Sequence, residues 1–259
     1  MKRVLLTILK RLLGLSIVGI FIALGYSSVV KQMEVPSYDE ITALTNVSKE
    51  TSLRKAGIIS RQSAVKVMSL DPETMSISGA SGTYIALDGR YFILTVAHGL
   101  NTDCDFVRIV LDRGRGYGNH YDCQKMIEVN IFSDYAIIET EKISELSPVH
   151  ILTQRPKNND WLQSLAPLTS LVYTGYPNDL GPVTVEGKVM GYSAENHFYM
   201  HSYGWAGASG SGVFNTDGQL VGHIMALVIG ETAYGISVLE DVVVVVPLFK
   251  IDWSVVYHR

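Results

Sequence analysis

Three short segments of this 259-residue chain hold side chains that could cooperate in chemistry. His98 follows an apolar run, Asp134 directly precedes another, and Ser209 lies in the glycine-rich turn 207–212. A serine hydroxyl is an effective nucleophile only when a base accepts its proton, and histidine titrates in the range that this requires. A buried carboxylate fixes the tautomer of the imidazole and stabilises its cation. The three residues therefore predict nucleophilic attack on a carbonyl group.

The glycine-rich turn can also bind the negative oxygen that such an attack creates. Glycines permit a tight turn in which two backbone N–H groups converge, here those of Gly207 and Ser209. Each feature alone is more often structural, because an aspartate before a strand is usually a turn residue and a histidine after a strand usually has a packing role. Their occurrence together, in the order His, Asp, Ser, favours the functional interpretation.

The elements that must position these residues are short strands. Brief apolar runs rich in Val, Ile, Tyr and Phe alternate with clusters of Gly, Asp and Asn from about residue 60 onward. This pattern predicts an all-β barrel or sandwich. The polar, irregular stretch 146–166 divides the strands into two sets. Residues 240–256 fit either a strand, because of the valine run 242–246, or a short terminal helix after Pro247.

Residues 1–30 have the character of an export signal. A basic start precedes the uncharged stretch 12–30, which is near the length of about 20 apolar residues that spans a bilayer. Basic flanks stay in the cytoplasm, so the rest of the chain is expected outside it, secreted, periplasmic or at the cell surface. We expect a hydrophobic helix that is either a signal peptide, cleaved near 23–25, or a retained membrane anchor. Residues 31–56 are expected to be a stalk or pro-region.

Composition excludes several classes of protein. Apolar residues make up 47% of the chain and charged residues 18%, which excludes general disorder. The net charge of −4 implies no basic surface, so we expect no nucleic-acid partner. The histidines show no metal-ligand spacing, and we expect neither a metal nor a cofactor. Outside the cytoplasm, the only two cysteines, Cys104 and Cys123, favour a disulfide over two unrelated buried thiols.

The chemical segments resemble those of a known family, the chymotrypsin-fold serine peptidases, and most of all its bacterial branch of glutamyl-endopeptidase-like and stress-protease-like enzymes. The matching stretches are LTVAHGL at 94–100, SDYAIIE at 133–139, YTGYP at 173–177 and GASGSGVFNTDGQLVGH at 207–223. The resemblance implies two antiparallel six-stranded β-barrels, about 57–145 and about 165–245, within a peptidase domain 57–259. It further implies a polypeptide substrate, with His98 as base, Asp134 as its orienter, Ser209 as nucleophile and Gly207 as an oxyanion donor.

Four positions depart from the family pattern or bear on specificity. Ala208 stands where the family usually has Asp or Asn, and in animal digestive enzymes that Asp pairs with a new N-terminus made by cleavage. Ile224 occupies the region where relatives often support the catalytic carboxylate. Tyr203 replaces the acidic residue with which trypsin-like enzymes bind Lys or Arg. His223 lies one position from a histidine that glutamyl endopeptidases use. It either lines a pocket for acidic or amide side chains or, because a one-residue offset reverses the side chain in a strand, packs away from it.

Two alternatives to a peptidase differ from it in sequence. A catalytically silent binding module of the same fold would commonly lack a member of the triad, and none is missing here. An esterase of another fold would show a GxSxG elbow with the histidine after the serine. Because His98 precedes Ser209 and the turn does not match that elbow, the esterase is rejected.

Overall fold

The structure is a computed structural model. It describes residues 52–100, 102–111, 118–151, 165–232 and 235–257. All of them belong to one compact unit, Tyr38–Arg259. The predicted hydrophobic helix and its signal or anchor role, residues 1–30, lie outside the described residues. No helix in the described part of the chain combines the length and the apolar character that a bilayer span requires.

Short strands dominate the described residues, as the sequence predicts, and one α-helix precedes them. In chain order the elements are α1 (Ser52–Ser63), β1 (Ala64–Leu70), β2 (Ile77–Leu87), β3 (Arg90–Thr95), β4 (Val107–Leu111), β5 (Asn119–Asp122), β6 (Lys125–Asn130), β7 (Tyr135–Thr140), β8 (Val149–His150), β9 (Ser170–Gly175), β10 (Val183–Tyr192), β11 (Phe198–His201), β12 (Gly212–Asn215), β13 (Leu220–Thr232) and β14 (Gly235–Pro247). Helix α1 crosses the predicted domain boundary at residue 57 and packs its small residues, Gly57 among them, on β9 and β10.

The C-terminal strand set forms a closed barrel. Its six strands follow the order β10, β11, β14, β13, β12 and β9, all antiparallel. Large buried side chains such as Tyr173, Phe198 and Met200 fill its interior. The prediction of a second six-stranded barrel is therefore confirmed.

The N-terminal strand set does not close, so the prediction of a first six-stranded barrel is wrong. Strands β1 to β7 form one sheet in the order β5, β4, β1, β2, β3, β7, β6, and β8 pairs in parallel with β2. Only two residues join β5 to β6, so the sheet curls until its two edge strands are neighbours, and we call this open, curled sheet the half-barrel. The edges stay unpaired because β5 has four residues, most of them exposed and polar, and offers no apolar face that would favour closure.

An apolar cluster joins the two halves. It combines side chains of the half-barrel, the barrel, helix α1 and the segment after β14, including Phe92, Phe214 and Trp253. The terminal segment continues as β14 up to Pro247 and then forms two short 3-10 helices, Leu248–Lys250 and Trp253–Val256. Both interpretations of this segment thus hold, each for a part of it. Arg90 fastens its end by donating to the Val256 carbonyl at 2.7 Å.

The predicted disulfide is confirmed. Cys104 and Cys123 are bonded, with their Cα atoms 5.3 Å apart and 19 positions apart in sequence. The bond closes the loop that contains β4 and β5, at the open edge of the half-barrel. In the chain-entropy view, such a bond stabilises the fold by limiting the freedom of the unfolded chain.

Replacing both cysteines by serine should lower the free energy of unfolding by about 3 kcal/mol, because the unfolded chain regains the entropy of a loop of this size. Urea denaturation of the oxidised protein and of the Cys104→Ser/Cys123→Ser variant measures the difference. The reduced natural protein is the matched control and should show the same loss. Equal midpoints for all three samples would contradict a stabilising bond.

Candidate active site

His98 and Asp134 meet because two neighbouring strands run in opposite directions. Strand β3 ends at Thr95 and β7 begins at Tyr135, and Thr95 pairs with Ala136. The residues after β3 and before β7 therefore lie side by side at the same end of these two strands. The structure thus brings the segments of His98 and Asp134 together.

Two hydrogen bonds join the aspartate to the histidine. One carboxylate oxygen of Asp134 lies 2.8 Å from Nδ1 of His98, and the other accepts the His98 backbone N–H at 2.9 Å. Since a carboxylate only accepts, Nδ1 carries the proton, and Nε2 of the neutral ring is left with its lone pair. Asp134 adopts a left-handed backbone (φ 49°), a conformation that aspartate tolerates better than most residues. This geometry holds an imidazole as a proton acceptor.

The pKa values of the pair move in opposite directions. The hydrogen bond from Asp134 raises the pKa of His98 above its ordinary 6.5, against the opposing effect of burial. Burial raises the pKa of Asp134, but the hydrogen bonds from the His98 side chain and backbone outweigh it, so the pKa falls below its ordinary value. Near neutral pH the carboxyl is therefore ionised and can stabilise a proton on the ring.

Ser81 of β2 holds the turn that carries Ser209. Its N–H donates to the Ser209 carbonyl at 2.8 Å, and its hydroxyl donates to the Gly207 carbonyl at 2.7 Å. The same hydroxyl accepts the N–H of Tyr176 at 2.8 Å. The Ser81 carbonyl accepts the hydroxyl of Thr95 at 2.7 Å, which ties the contact to the strand that leads to the histidine. The turn is thereby fixed against β2, the strand next to β3, which leads to His98.

The turn leaves two backbone N–H groups without an acceptor among the described residues, those of Gly207 and Ser209. The carbonyl before Gly207 accepts the N–H of Asn178 at 2.7 Å. The carbonyl before Ser209 accepts the N–H and the hydroxyl of Ser211 at 3.1 and 2.6 Å. Because the C=O and N–H of a trans peptide point in opposite directions, these bonds turn both N–H groups away from the protein. The pair is thus oriented before any ligand binds.

A glycine is required where the turn touches β2. Gly210 has a left-handed backbone (φ 88°), and a Cβ atom there would overlap the Ser81 carbonyl and approach Thr95 Oγ1 to 2.7 Å. Sequence patterns did not identify Ser81, since a serine inside a strand has no motif of its own. The available signal was the run of small residues 79–82, which lets the turn approach β2 closely.

The two residues proposed for specificity have different surroundings. The Tyr203 side chain is 60% exposed, and its ring stacks on Trp205 with centroids 5.5 Å apart. His223 is fully buried, and its Nε2 lies 3.0 Å from the Asp134 carbonyl oxygen. Of the two alternatives for His223, the structure favours the one in which its side chain packs away from a substrate pocket.

The Ser209 hydroxyl is not bonded to the His98–Asp134 pair. Ser209 is partly exposed, and no hydrogen bond between its hydroxyl and the His98 ring occurs among the described residues. Ala208, the departure beside it, is buried in the barrel core. The site thus offers an imidazole, an oriented carboxylate, a hydroxyl and two N–H groups without an acceptor among the described residues. This set of groups is suited to acyl transfer.

Comparisons with known proteins show what this chain is similar to. A family model described as "Trypsin-like peptidase domain" matches residues 80–222. The active form of the Rv3671c protease from M. tuberculosis is 16% identical, with a TM-score of 0.52 over 74% of this chain and 78% of that one. A serine endoprotease from Yersinia pestis is 18% identical, with a TM-score of 0.57 over 78% of this chain and 68% of that one. At these identities the two structures establish the fold alone, which is chymotrypsin-like. No curated protein matches the sequence.

The His98 ring should titrate above pH 6.5 in the natural protein, because the Asp134 hydrogen bond favours its cation. In Asp134→Asn the carboxylate is lost and the pKa of His98 should fall. NMR titration of the ring protons measures both values. His197 is an internal control: burial and Lys250 lower its pKa, and the substitution does not touch it. A His98 pKa that is the same in both proteins would contradict this account.

Proposed function

The chain belongs to the trypsin-like peptidase domain family, and we propose that it is a serine endopeptidase with Ser209 as nucleophile, His98 as general base and Asp134 as orienter of His98. The observation that carries the proposal is the His98–Asp134 pair, bonded through both carboxylate oxygens at 2.8 and 2.9 Å. A bidentate hold fixes both the tautomer and the direction of the ring, which is what a general base for a hydroxyl requires.

The proposed reaction proceeds through an acyl-enzyme. Nε2 of His98 takes the Ser209 proton while the serine oxygen adds to the carbonyl carbon of the scissile peptide bond. The resulting oxyanion accepts hydrogen bonds from the N–H groups of Gly207 and Ser209, whose orientation is set in advance. His98 then gives its proton to the leaving amine as the C–N bond breaks. Water, deprotonated by the same ring, releases the carboxylic acid and restores the serine.

We also propose that the enzyme rejects Lys and Arg at the residue before the cleaved bond. No carboxylate occurs in the stretch 197–209, so a cationic side chain would lose its water without gaining a counter-charge. The stacked pair Tyr203 and Trp205 offers an aromatic wall instead. The buried position of His223 removes the argument for an acidic preference, and uncharged side chains are the expected substrates.

Action outside the cytoplasm is part of the proposal. The Cys104–Cys123 bond supports it, because structural disulfides persist in oxidising compartments and are rare in the cytosol. The predicted signal or anchor at residues 1–30 would deliver the chain there, and a retained anchor would add a membrane partner.

Each of Ser209→Ala, His98→Ala and Asp134→Asn should lower kcat/KM by about 10³-fold or more, because the three side chains act as a unit. Hydrolysis of a peptide library by the full chain measures the effect, and a fluorophosphonate should label the natural protein but not Ser209→Ala. Ser144→Ala is the matched control, since its hydroxyl lies beyond the far end of β7 and bonds to Glu145. Full turnover by Ser209→Ala would refute the nucleophile, and a natural protein that neither labels nor cleaves would favour the silent binding module.

The cleavage profile of the same library should contain uncharged residues before the cut and few lysines or arginines. Tyr203→Asp, which supplies a carboxylate at the wall, should increase cleavage after Lys or Arg relative to the natural protein. Tyr203→Phe is the control, because it keeps the ring stacked on Trp205 and adds no charge. A natural profile dominated by Lys and Arg would contradict the proposal.

A further inference from the structure

His223 makes a contact that links the two halves of the molecule. Its side chain is fully buried in β13 of the barrel, and its Nε2 lies 3.0 Å from the backbone carbonyl of Asp134 in the half-barrel. A carbonyl oxygen only accepts, so Nε2 is the protonated nitrogen of the ring. Nδ1 is buried and has no hydrogen-bond partner among the described residues. Among the described residues, the hydrogen bond of this ring is therefore the one to the backbone carbonyl of Asp134.

The turn that carries Asp134 has few other restraints. It joins β6 to β7, and Ile131 and Phe132 within it are 78% and 104% exposed, so packing holds them little. The Ser133 N–H donates to the Asn130 side chain at 2.9 Å, which closes the start of the turn. Asp134 itself adopts a left-handed backbone conformation, which persists only where contacts with neighbouring residues offset its free-energy cost. The bond from His223 supplies such a restraint on its carbonyl.

The residue after His223 holds the other part of the site. Ile224 donates its N–H to the Ser211 carbonyl at 2.9 Å and accepts the Gly210 N–H at 2.7 Å. Two consecutive residues of β13 thus form hydrogen bonds, one to the turn of Asp134 and the other to the turn of Ser209. A shift of this strand would move the carboxylate and the hydroxyl relative to each other.

We propose that His223 is a positioning residue: its Nε2–H bond to the Asp134 carbonyl sets the carboxylate, and through it His98, in register with the Ser209 turn. This role rests on the proposed function where turnover is concerned, whereas the effect on His98 can be observed without any catalysis. His223 touches no reacting atom and acts through Asp134 alone.

The charge state of His223 suits this role. Burial lowers its pKa to about 4, so the ring is neutral wherever His98 can act as a base. The titratable groups that face it are Asp134, His98 and His197, and Lys250 lies beyond His197. A neutral donor restrains the carbonyl without adding a positive charge that would oppose protonation of His98.

Two substitutions in the full chain separate donation from bulk. His223→Leu keeps an apolar side chain of similar size and removes the donor, whereas His223→Gln places an amide N–H near the position of Nε2. The expected result for His223→Leu is a kcat lower by about tenfold or more, a KM within about twofold, and a lower pKa of His98 by NMR. His223→Gln should keep kcat within about threefold of the natural protein and restore the His98 pKa.

Val243→Ala serves as the control for general destabilisation, because it shortens a buried side chain of the same barrel that has no contact with Asp134. A His223→Leu protein with the kcat and His98 pKa of Val243→Ala would overturn the proposal. If His223→Leu does not fold, His223→Asn decides: its shorter amide cannot reach the carbonyl, so it must show the defects that His223→Gln lacks, and equal behaviour of the two overturns the proposal. If even the natural protein cleaves no peptide, the proposed function fails, and the His98 titration alone decides the role of His223.

Discussion

The close approach of β2 to the Ser209 turn is the constraint on which the site depends. Ser81 is buried completely and makes two bonds to the turn, one from its N–H and one from its hydroxyl. These bonds join the half-barrel to the barrel at the place where Ser209 must face the His98–Asp134 pair. Gly175 and Gly210 leave the space that Ser81 and the turn occupy, since a Cβ atom at either position would overlap a neighbouring atom. The chemistry of the turn therefore depends on small residues far from it in sequence.

The remaining bonds divide the work between the two halves. The half-barrel holds the His98 ring through Nδ1, and the barrel holds the Ser209 turn through the carbonyls of residues 206–209, each of which accepts a hydrogen bond. Because the carbonyls before Gly207 and before Ser209 have donors inside the protein, the N–H groups of Gly207 and Ser209 face outward and require no rearrangement. The His98 side chain is half exposed, so the hydrogen bond to Asp134 raises its pKa more than burial lowers it.

The sequence predicts this site only as far as its signals are local. His98 and Asp134 each adjoin an apolar strand, and an antiparallel pairing of those strands suffices to bring them together. Ser81 has no motif of its own beyond the run of small residues 79–82, because its role lies in contacts to residues more than a hundred positions away. His223 was undecidable for a different reason: in a strand one position reverses the side chain, and only the observed register of β12 and β13 tells which way it points. The prediction of a closed first barrel was wrong because closure depends on whether the edge strands β5 and β6 pair with each other. The alternation of apolar and polar residues within a strand does not indicate which strands pair with it.

The departure at Ala208 fits the way in which the turn is held. The resemblance to digestive peptidases raises an ion pair between a residue at this position and a new N-terminus, and Ala208 has no charge to offer. The segment before β1 is helix α1, which docks on the barrel through Arg61, whose guanidinium donates to the Pro182 carbonyl at 2.6 Å. Cleavage within this helix would break it without creating a charged partner for Ala208. Hydrogen bonds from Ser81 and Ser211 fix the peptides on both sides of Ala208, so the turn is held by neutral contacts within the folded chain. The orientation of the turn is therefore set by contacts that the fold itself supplies.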